Sequence, residues 1–227
     1  MKYSGWELNF FDKSTNFRKY QFDLIRKYIK GEILEVGPGN GVLAKDYLLK
    51  YFNKIFLSEI DSKLFKKLIK KFRQEKKIKV FNKKINKINK NFDTIIYSDV
   101  VEHIKEDKKE ILSAISKLKK NGRLIIIVPA FQYLYSDYDK SIGHFKRYKK
   151  RDFLDLSNKY KIKCEKMIYF DVTGYLFLGL KKIFNLNHKK NLGLGTFLWN
   201  FLIPVSKLLD RMIFYSFGKS LLCVYKK

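Results

Sequence analysis

The stretch Ile33-Leu34-Glu35-Val36-Gly37-Pro38-Gly39-Asn40-Gly41 runs an apolar strand into three closely spaced glycines. Such a loop lets the backbone approach a ligand more tightly than any Cβ would allow. About 20 residues further on, Glu59 ends a second strand-like run, where a carboxylate can accept both hydroxyls of a ribose. The two features together describe a nucleoside crevice, and the spacing narrows the choice of nucleoside. Dinucleotide folds carry GxGxxG, whereas the third glycine here comes one residue earlier, giving GxGxG. Glu35 lies two residues before the first glycine, an acid that would face an ammonium and repel a diphosphate.

Two further segments carry titratable groups. Ser98-Asp99-Val100-Val101-Glu102-His103-Ile104 follows the fourth strand-like run. If a helix begins there, Asp99, Glu102 and His103 stand at i, i+3 and i+4 on one face, two carboxylates and an imidazole of hard-metal type. The loop after the fifth strand reads Ser136-Asp137-Tyr138-Asp139-Lys140-Ser141-Ile142-Gly143-His144-Phe145-Lys146-Arg147-Tyr148. A loop leaving the carboxyl end of a central strand opens onto the ligand crevice. For each of its polar residues the alternative is a surface loop stitched by hydrogen bonds. His188, in the basic turn Asn187-His188-Lys189-Lys190, is assigned no role.

From about Phe17 to Val128 the chain resembles the class I S-adenosylmethionine-dependent methyltransferases. The resemblance implies S-adenosyl-L-methionine as cofactor and S-adenosyl-L-homocysteine as product. It implies that Gly37, Gly39 and Gly41 line the methionine and ribose portion, that Glu59 holds the ribose hydroxyls, and that Glu35 faces the cofactor. Where the family often has an acid after the third strand to hold the adenine amine, this chain reads Asn82-Lys83-Lys84-Ile85. Either Asn82 replaces that acid or adenine is held by backbone alone.

The Ser98–Ile104 segment is similar to the "LEHI" segment of small-molecule and quinone O-methyltransferases, which implies that Asp99 lies beside the cofactor's methyl group as a binding and catalytic residue. Quinone-biosynthesis methyltransferases and enzymes that methylate small-RNA 3′ ends carry a similar acid-x-x-Glu-His arrangement and bind a divalent metal with it. Many relatives keep Glu-His without metal, and the first acid here is Asp99 where Glu is usual. The expected site is therefore metal-free, with Asp99, Glu102, His103 and His144 as the metal-bound alternative. Gly143-His144-Phe145-Lys146-Arg147-Tyr148 resembles the Gly-His-x-x-Arg-Tyr segment of a bacterial and archaeal methyltransferase subgroup often associated with glycan or lipid modification. Methyl transfer to a hydroxyl needs proton removal near neutral pH, which suits His144 as general base. Arg147 suits a phosphate or carboxylate of the acceptor.

The elements that must position these groups alternate. Helices are expected over Phe17–Ile29, with Tyr20, Leu24, Ile25 and Tyr28 inward, over Val42–Leu49, after an Asp61 or Ser62 cap, and from Ile111 to a stop at Asn121-Gly122. Strands are expected at Glu32–Val36, Ile55–Ser58, Lys79–Asn82, Phe92–Tyr97, Leu124–Val128, Cys164–Phe170 and Ser220–Tyr225. The pattern predicts an α/β fold, a Rossmann-like, doubly wound, mostly parallel seven-stranded sheet, with a helical insertion between the last two strands. No repeat or linker divides the chain, so residues 1–227 read as a single domain with a helical segment at 1–30 and an insertion or lid at 171–218.

Within 171–218, helices are expected near Tyr175–Phe184 and Phe197–Phe217. The insertion mixes Tyr175, Phe177, Phe184, Phe197, Trp199, Phe201, Phe214 and Tyr215 with Lys181, Lys182, Lys189, Lys190, Lys207 and Arg211. That composition fits core packing over the sheet edge, a lid over a greasy acceptor, contact with an anionic membrane, or a homodimer interface.

With 227 residues, 46% of them hydrophobic, the chain can bury a substantial core and is not a disordered tail. No apolar run reaches the roughly 18 residues that span a bilayer, the N-terminus lacks a signal-peptide core, and Cys164 and Cys223 suit a reducing compartment. A cytoplasmic protein is expected, with peripheral membrane association as a variant of it. The net charge of +27 invites an anionic partner. Lysine supplies most of it, however, in the Asn-, Ile-, Phe- and Tyr-rich profile of an AT-rich genome, so charge alone does not decide. The leading reading is methyl transfer from S-adenosylmethionine to an oxygen of a small, lipid-linked or glycan-type acceptor. An RNA methyltransferase using the divalent-metal cluster, with nucleic acid the weaker partner, and a non-catalytic cofactor-binding subunit are the alternatives.

Overall fold

The computed structural model describes residues 8–160, 162–184 and 192–227; His188, Lys189 and Lys190 lie outside them. Its strands are β1 (Ile33–Val36), β2 (Ile55–Ser58), β3 (Ile78–Phe81), β4 (Phe92–Ser98), β5 (Leu118–Pro129), β6 (Lys163–Phe170) and β7 (Ser220–Lys226). They form one sheet in the order β3-β2-β1-β4-β5-β7-β6. The first five pair in parallel, and β7 enters antiparallel between β5 and β6. This is the doubly wound, mostly parallel architecture expected. The aliphatic run in β5 follows from burial on both faces. Leu124, Ile126 and Val128 join one core, and Ile125 and Ile127 join the other.

The helices are α1 (Leu8–Asp12), α2 (Thr15–Ile25), α3 (Leu49–Tyr51), α4 (Ser62–Lys71), α5 (Asp107–Ser116), α6 (Asp137–Ser141), α7 (Lys150–Tyr160), α8 (Val172–Ile183) and α9 (Leu192–Met212). Asp61 caps α4, its side chain accepting from Lys63 N and Leu64 N at 2.9 and 3.0 Å. α8 and α9 form the insertion between β6 and β7. Its inner side is held by buried carboxylates. Asp210 accepts from Tyr20 Oη and Asp171 N, each at 2.7 Å, and Asp171 accepts from Trp199 Nε1 at 2.8 Å.

Four local expectations are corrected. α2 ends at Ile25, continues as a 3-10 turn over Arg26–Tyr28, and buries Phe17, Tyr20, Gln21, Phe22 and Ile25 rather than Leu24 and Tyr28. The helix expected over Val42–Leu49 is a π-helical turn, Ala44–Leu48, leading into α3. Asn121-Gly122 does not stop α5, which ends at Ser116. The pair lies inside β5, where Asn121 takes a φ of 61° and donates its N–H to the Lys227 carbonyl. A turn signal has been used within a strand. Finally, no α-helix starts at Asp99. That residue sits at φ 57°, and Val101–His103 make a single 3-10 turn. The i, i+3, i+4 face expected for Asp99, Glu102 and His103 is therefore not formed.

Candidate functional site

The sheet order reverses between β1 and β4, so the carboxyl ends of these strands border a crevice. A cleft of about 850 Å³ lies there, within the range that holds a small molecule or cofactor. Its floor is the glycine loop and the end of β4. The roof comes from Leu8, Phe11, Phe17 and Arg18 at the N-terminus and from Phe177 and Trp199 of the insertion.

Gly37, Gly39 and Gly41 all take positive φ, at 64°, 56° and 71°, a region that L side chains rarely adopt. Gly37 and Gly39 line the cleft, but Gly41 does not. A Cβ on Gly41 would meet Phe72 Cε2 at 2.8 Å and Leu68 Cδ2 at 2.9 Å. This glycine lets α4 pack against the loop.

At one end of the cleft lie the buried Glu35 and the partly buried Arg18. Glu35 Oε2 and Arg18 Nε have no hydrogen-bond partner among the described residues. Burial pushes the Glu35 carboxyl up to about 8, and the charges of Arg18 and Lys71 only partly offset it. Glu35 Oε2 therefore keeps an open acceptor position and Arg18 Nε an open donor at this end of the cleft, atoms complementary in type to an ammonium and a carboxylate. Arg18 was not anticipated from sequence, because nothing in the α2 pattern separates it from a solvated arginine. Its Nη1 donates to Asp99 Oδ2 at 3.1 Å, and Gln21 Nε2 donates to the same oxygen at 3.1 Å. Asp99 thereby positions Arg18, and it also lines the cleft.

Further along, Glu59 is buried at the end of β2. Burial raises its carboxyl, while backbone N–H groups of Asp61, Gly39 and Ile60 work to lower it. A carboxylate has about four acceptor sites, so it retains capacity for ribose hydroxyls. Asn82 Nδ2 donates to the Glu59 carbonyl at 2.7 Å, bracing β2, and the cleft beside it is lined by Lys83, Lys84 and Ile85. This contact uses the amide N–H and not Oδ1, the atom that would accept from an adenine amine, so both expectations for adenine stay open.

The third group gathers around His144. Its Nδ1 lies 2.8 Å from Asp139 Oδ1, and its Nε2 lies 3.7 Å from Glu102 Oε1. Burial works to raise Asp139, but the hydrogen bond from His144 and the charge of Arg147 outweigh it and hold the acid at about 2. Ionised Asp139 thus accepts the Nδ1 proton and leaves Nε2 as the basic nitrogen. Arg147 Nε and Nη2 also bind Asp139, each at 3.0 Å, and the guanidinium is buried. Arg147 thus fixes Asp139, and it also lines the cleft. Asp139 itself is the residue that sequence reasoning missed, although its place in the polar loop was a signal. Another unanticipated group is Lys219 at the start of β7, which lines the cleft 3.4 Å from the Trp199 ring centroid.

Glu102, His103 and His144 offer ligand atoms all within 4.8 Å of one another, and Asp99 is outside this set. Both Glu102 oxygens are buried and have no hydrogen-bond partner among the described residues. Burial, reinforced by the Asp99 charge, pushes Glu102 well above the usual carboxylate range, and burial lowers His103 to about 4. Two imidazoles and one carboxylate form a donor set that fits a divalent transition metal.

Residues 14–160 match the model of a family described as "Methyltransferase domain". The uncharacterized protein MJ1123 of Methanocaldococcus jannaschii is 28% identical over 204 residues, covering 86% of this chain and 92% of that protein. Among solved structures, the fold is similar to Haemonchus contortus phosphoethanolamine N-methyltransferase 2 in complex with S-adenosyl-L-methionine. The TM-score is 0.63 at 11% identity, over 92% of this chain, which spans about half (52%) of that enzyme. It is also similar to a putative methyltransferase from Bacillus halodurans, with a TM-score of 0.60 at 16% identity, covering 90% of this chain and 97% of the other.

Proposed function

Because the chain belongs to the methyltransferase-domain family, whose model spans residues 14–160, we propose that it transfers a methyl group from S-adenosylmethionine to an oxygen of a small, lipid-linked or glycan-type acceptor. The observation that carries this reading is a pair of atoms at one end of the cleft, Glu35 Oε2 and Arg18 Nε, that have no hydrogen-bond partner among the described residues. An amino-acid end, ammonium plus carboxylate, satisfies both at once. The neighbouring glycine loop and Glu59 then take the ribose. The adenine lies toward Ile85, held without a side-chain acid.

The acceptor hydroxyl attacks the methyl carbon in line with the departing sulfur, forming the C–O bond as the S–C bond breaks. His144 Nε2 takes the hydroxyl proton. Asp139, clamped by Arg147, keeps the ring in that tautomer and steadies the imidazolium. Positioning in the closed cleft supplies the rest of the acceleration.

Glu35 gives a test with a defined sign. Its carboxyl is raised by burial to about 8, so in the free protein it is largely protonated at neutral pH, yet it must ionise to pair with an ammonium. Affinity for S-adenosylmethionine is expected to rise between pH 6 and pH 8, by up to about tenfold per unit. Proton release should appear in calorimetry as heat that depends on the buffer. Glu35→Gln should flatten the slope and weaken binding. The same raised value makes the ligand-free fold lose stability as pH climbs from the ordinary carboxylate range toward 8, where the unfolded chain has already released this proton. No detectable binding of the nucleoside at any pH would refute the assignment.

A second reading rests on the orphaned Glu102 oxygens. Glu102, His103 and His144 would hold a divalent ion, which would supply Lewis acidity toward the acceptor oxygen. In that case chelation should cut turnover at least tenfold, and cobalt(II) should give visible absorption on binding. Turnover indifferent to chelator would leave His144 as the base.

A further inference from the structure

We propose that the outer face of α8 and α9 is a docking surface for an anionic lipid bilayer, setting the mouth of the cleft at headgroup level. Along α9 the inward residues Trp199, Ile203, Ser206 and Asp210 are buried. The outward positions Leu194, Phe197, Leu198, Phe201, Leu202, Val205, Leu208 and Met212 follow at helical spacing, and every one is exposed. Phe197 and Phe201 leave 65% and 70% of their surface in solvent. α8 adds a stripe of its own, Leu176, Leu180, Ile183 and Phe184, all exposed. A methyl placed on Gly195 would lie 3.7 Å from Phe177 Cζ, so the two helices pack side by side near the cleft. Phe214, just beyond α9, is 87% exposed and takes a φ of 51°. A bulky residue in that left-handed region is an outlier, here one that holds an aromatic ring in solvent.

Charge selects the occupant. From Asp171 to the last residue the only acids are Asp171 and Asp210, and both are fully buried. Lys182 and Arg211 are exposed on the same helices, and Lys181 lies at the rim of the cleft. The insertion therefore shows water an apolar band with cations beside it and no anions. That surface complements anionic headgroups over acyl chains. A second copy of this chain, with its net charge of +27, would instead bring like charge against like. Among the described residues no helix is long and apolar enough to cross a membrane, so α9 lies on the bilayer with Asp210 and Ser206 turned inward.

The surface stands on exposure and charge. That the bilayer also delivers the acceptor to the cleft rests on the methyl-transfer reading. The test is sedimentation of the full chain with vesicles of phosphatidylcholine alone and of phosphatidylcholine mixed with phosphatidylglycerol. Binding to the anionic vesicles should exceed binding to the neutral ones by roughly tenfold. The double variant Phe197→Ser, Phe201→Ser should lose it, while thermal midpoint and S-adenosylmethionine affinity stay unchanged. Absence of binding by the parent protein to anionic vesicles overturns the proposal, as does undiminished binding by the variant. A parent dimer that becomes monomeric in the variant, seen by light scattering, also overturns it and assigns the face to a second copy. Failure of the parent to bind S-adenosylmethionine would strike the methyl-transfer reading and leave this surface standing.

Discussion

Gly39→Val is expected to lower affinity for S-adenosylmethionine by about 100-fold or more, roughly 2.7 kcal/mol. Gly39 sits at φ 56° on the floor of the cleft. A β-branched residue is disfavoured at that φ, and its side chain would enter the space reserved for the nucleoside. A Cβ there would meet Leu8 Cδ2 at 3.3 Å, a contact the flexible leucine can relieve, so the fold should survive while the ligand is excluded. Gly41→Ala supplies the contrast. Its Cβ strikes Phe72 and Leu68 below 3.0 Å, so it should lower the thermal midpoint and affect affinity mainly through that loss. Calorimetry and thermal melts of the two variants separate these effects. Tight cofactor binding by Gly39→Val would remove the glycine loop from the site.

His144→Ala should reduce turnover by about 10²- to 10⁴-fold, the usual worth of a positioned general base, with cofactor affinity within about twofold of the parent. The side chain contacts Asp139 and faces Glu102, and neither belongs to the Glu35–Arg18 end of the cleft. Arg147 remains on Asp139 after the ring is removed, so no buried charge is stranded. Asp139→Asn differs. It would leave the buried guanidinium of Arg147 without its counter-charge, a change that costs on the order of 3 kcal/mol of stability, and would free the wrong His144 tautomer. Its expected signature is a fall in kcat with KM little changed, together with a lowered melting temperature. If His144→Ala turned over at the parent rate with any acceptor, the proton would have to leave by another route.

The local signals that proved readable were those in which chain neighbours do the work. The aliphatic run Leu124–Val128 is a two-faced central strand because each residue meets a core on its own side. Gly37, Gly39 and Glu59 reach the cleft because they end strands on the carboxyl side of the sheet. Partners that come from far along the chain were not readable. Asn82, Asp99 and Arg147 have chemistry suited to a ligand. Each is claimed by a contact that no short window shows: the Glu59 carbonyl, Arg18 of α2, and Asp139.

The placing of Glu35 and Arg18 along one cleft lies at the limit of that kind of reading. Glu35 was legible from its offset to the first glycine, a distance along one strand. Arg18 was not, since its burial depends on α2 folding across the mouth of β1 and β4. By itself the sequence determined the sheet, the nucleoside loop and the cluster of titratable residues after β5, because periodicity and glycine spacing are short-range constraints. Which of those titratable groups face the ligand and which are held by one another was decided only in the tertiary structure. Burial makes every unpaired charge costly, so each group pairs with whatever the fold brings within hydrogen-bond distance.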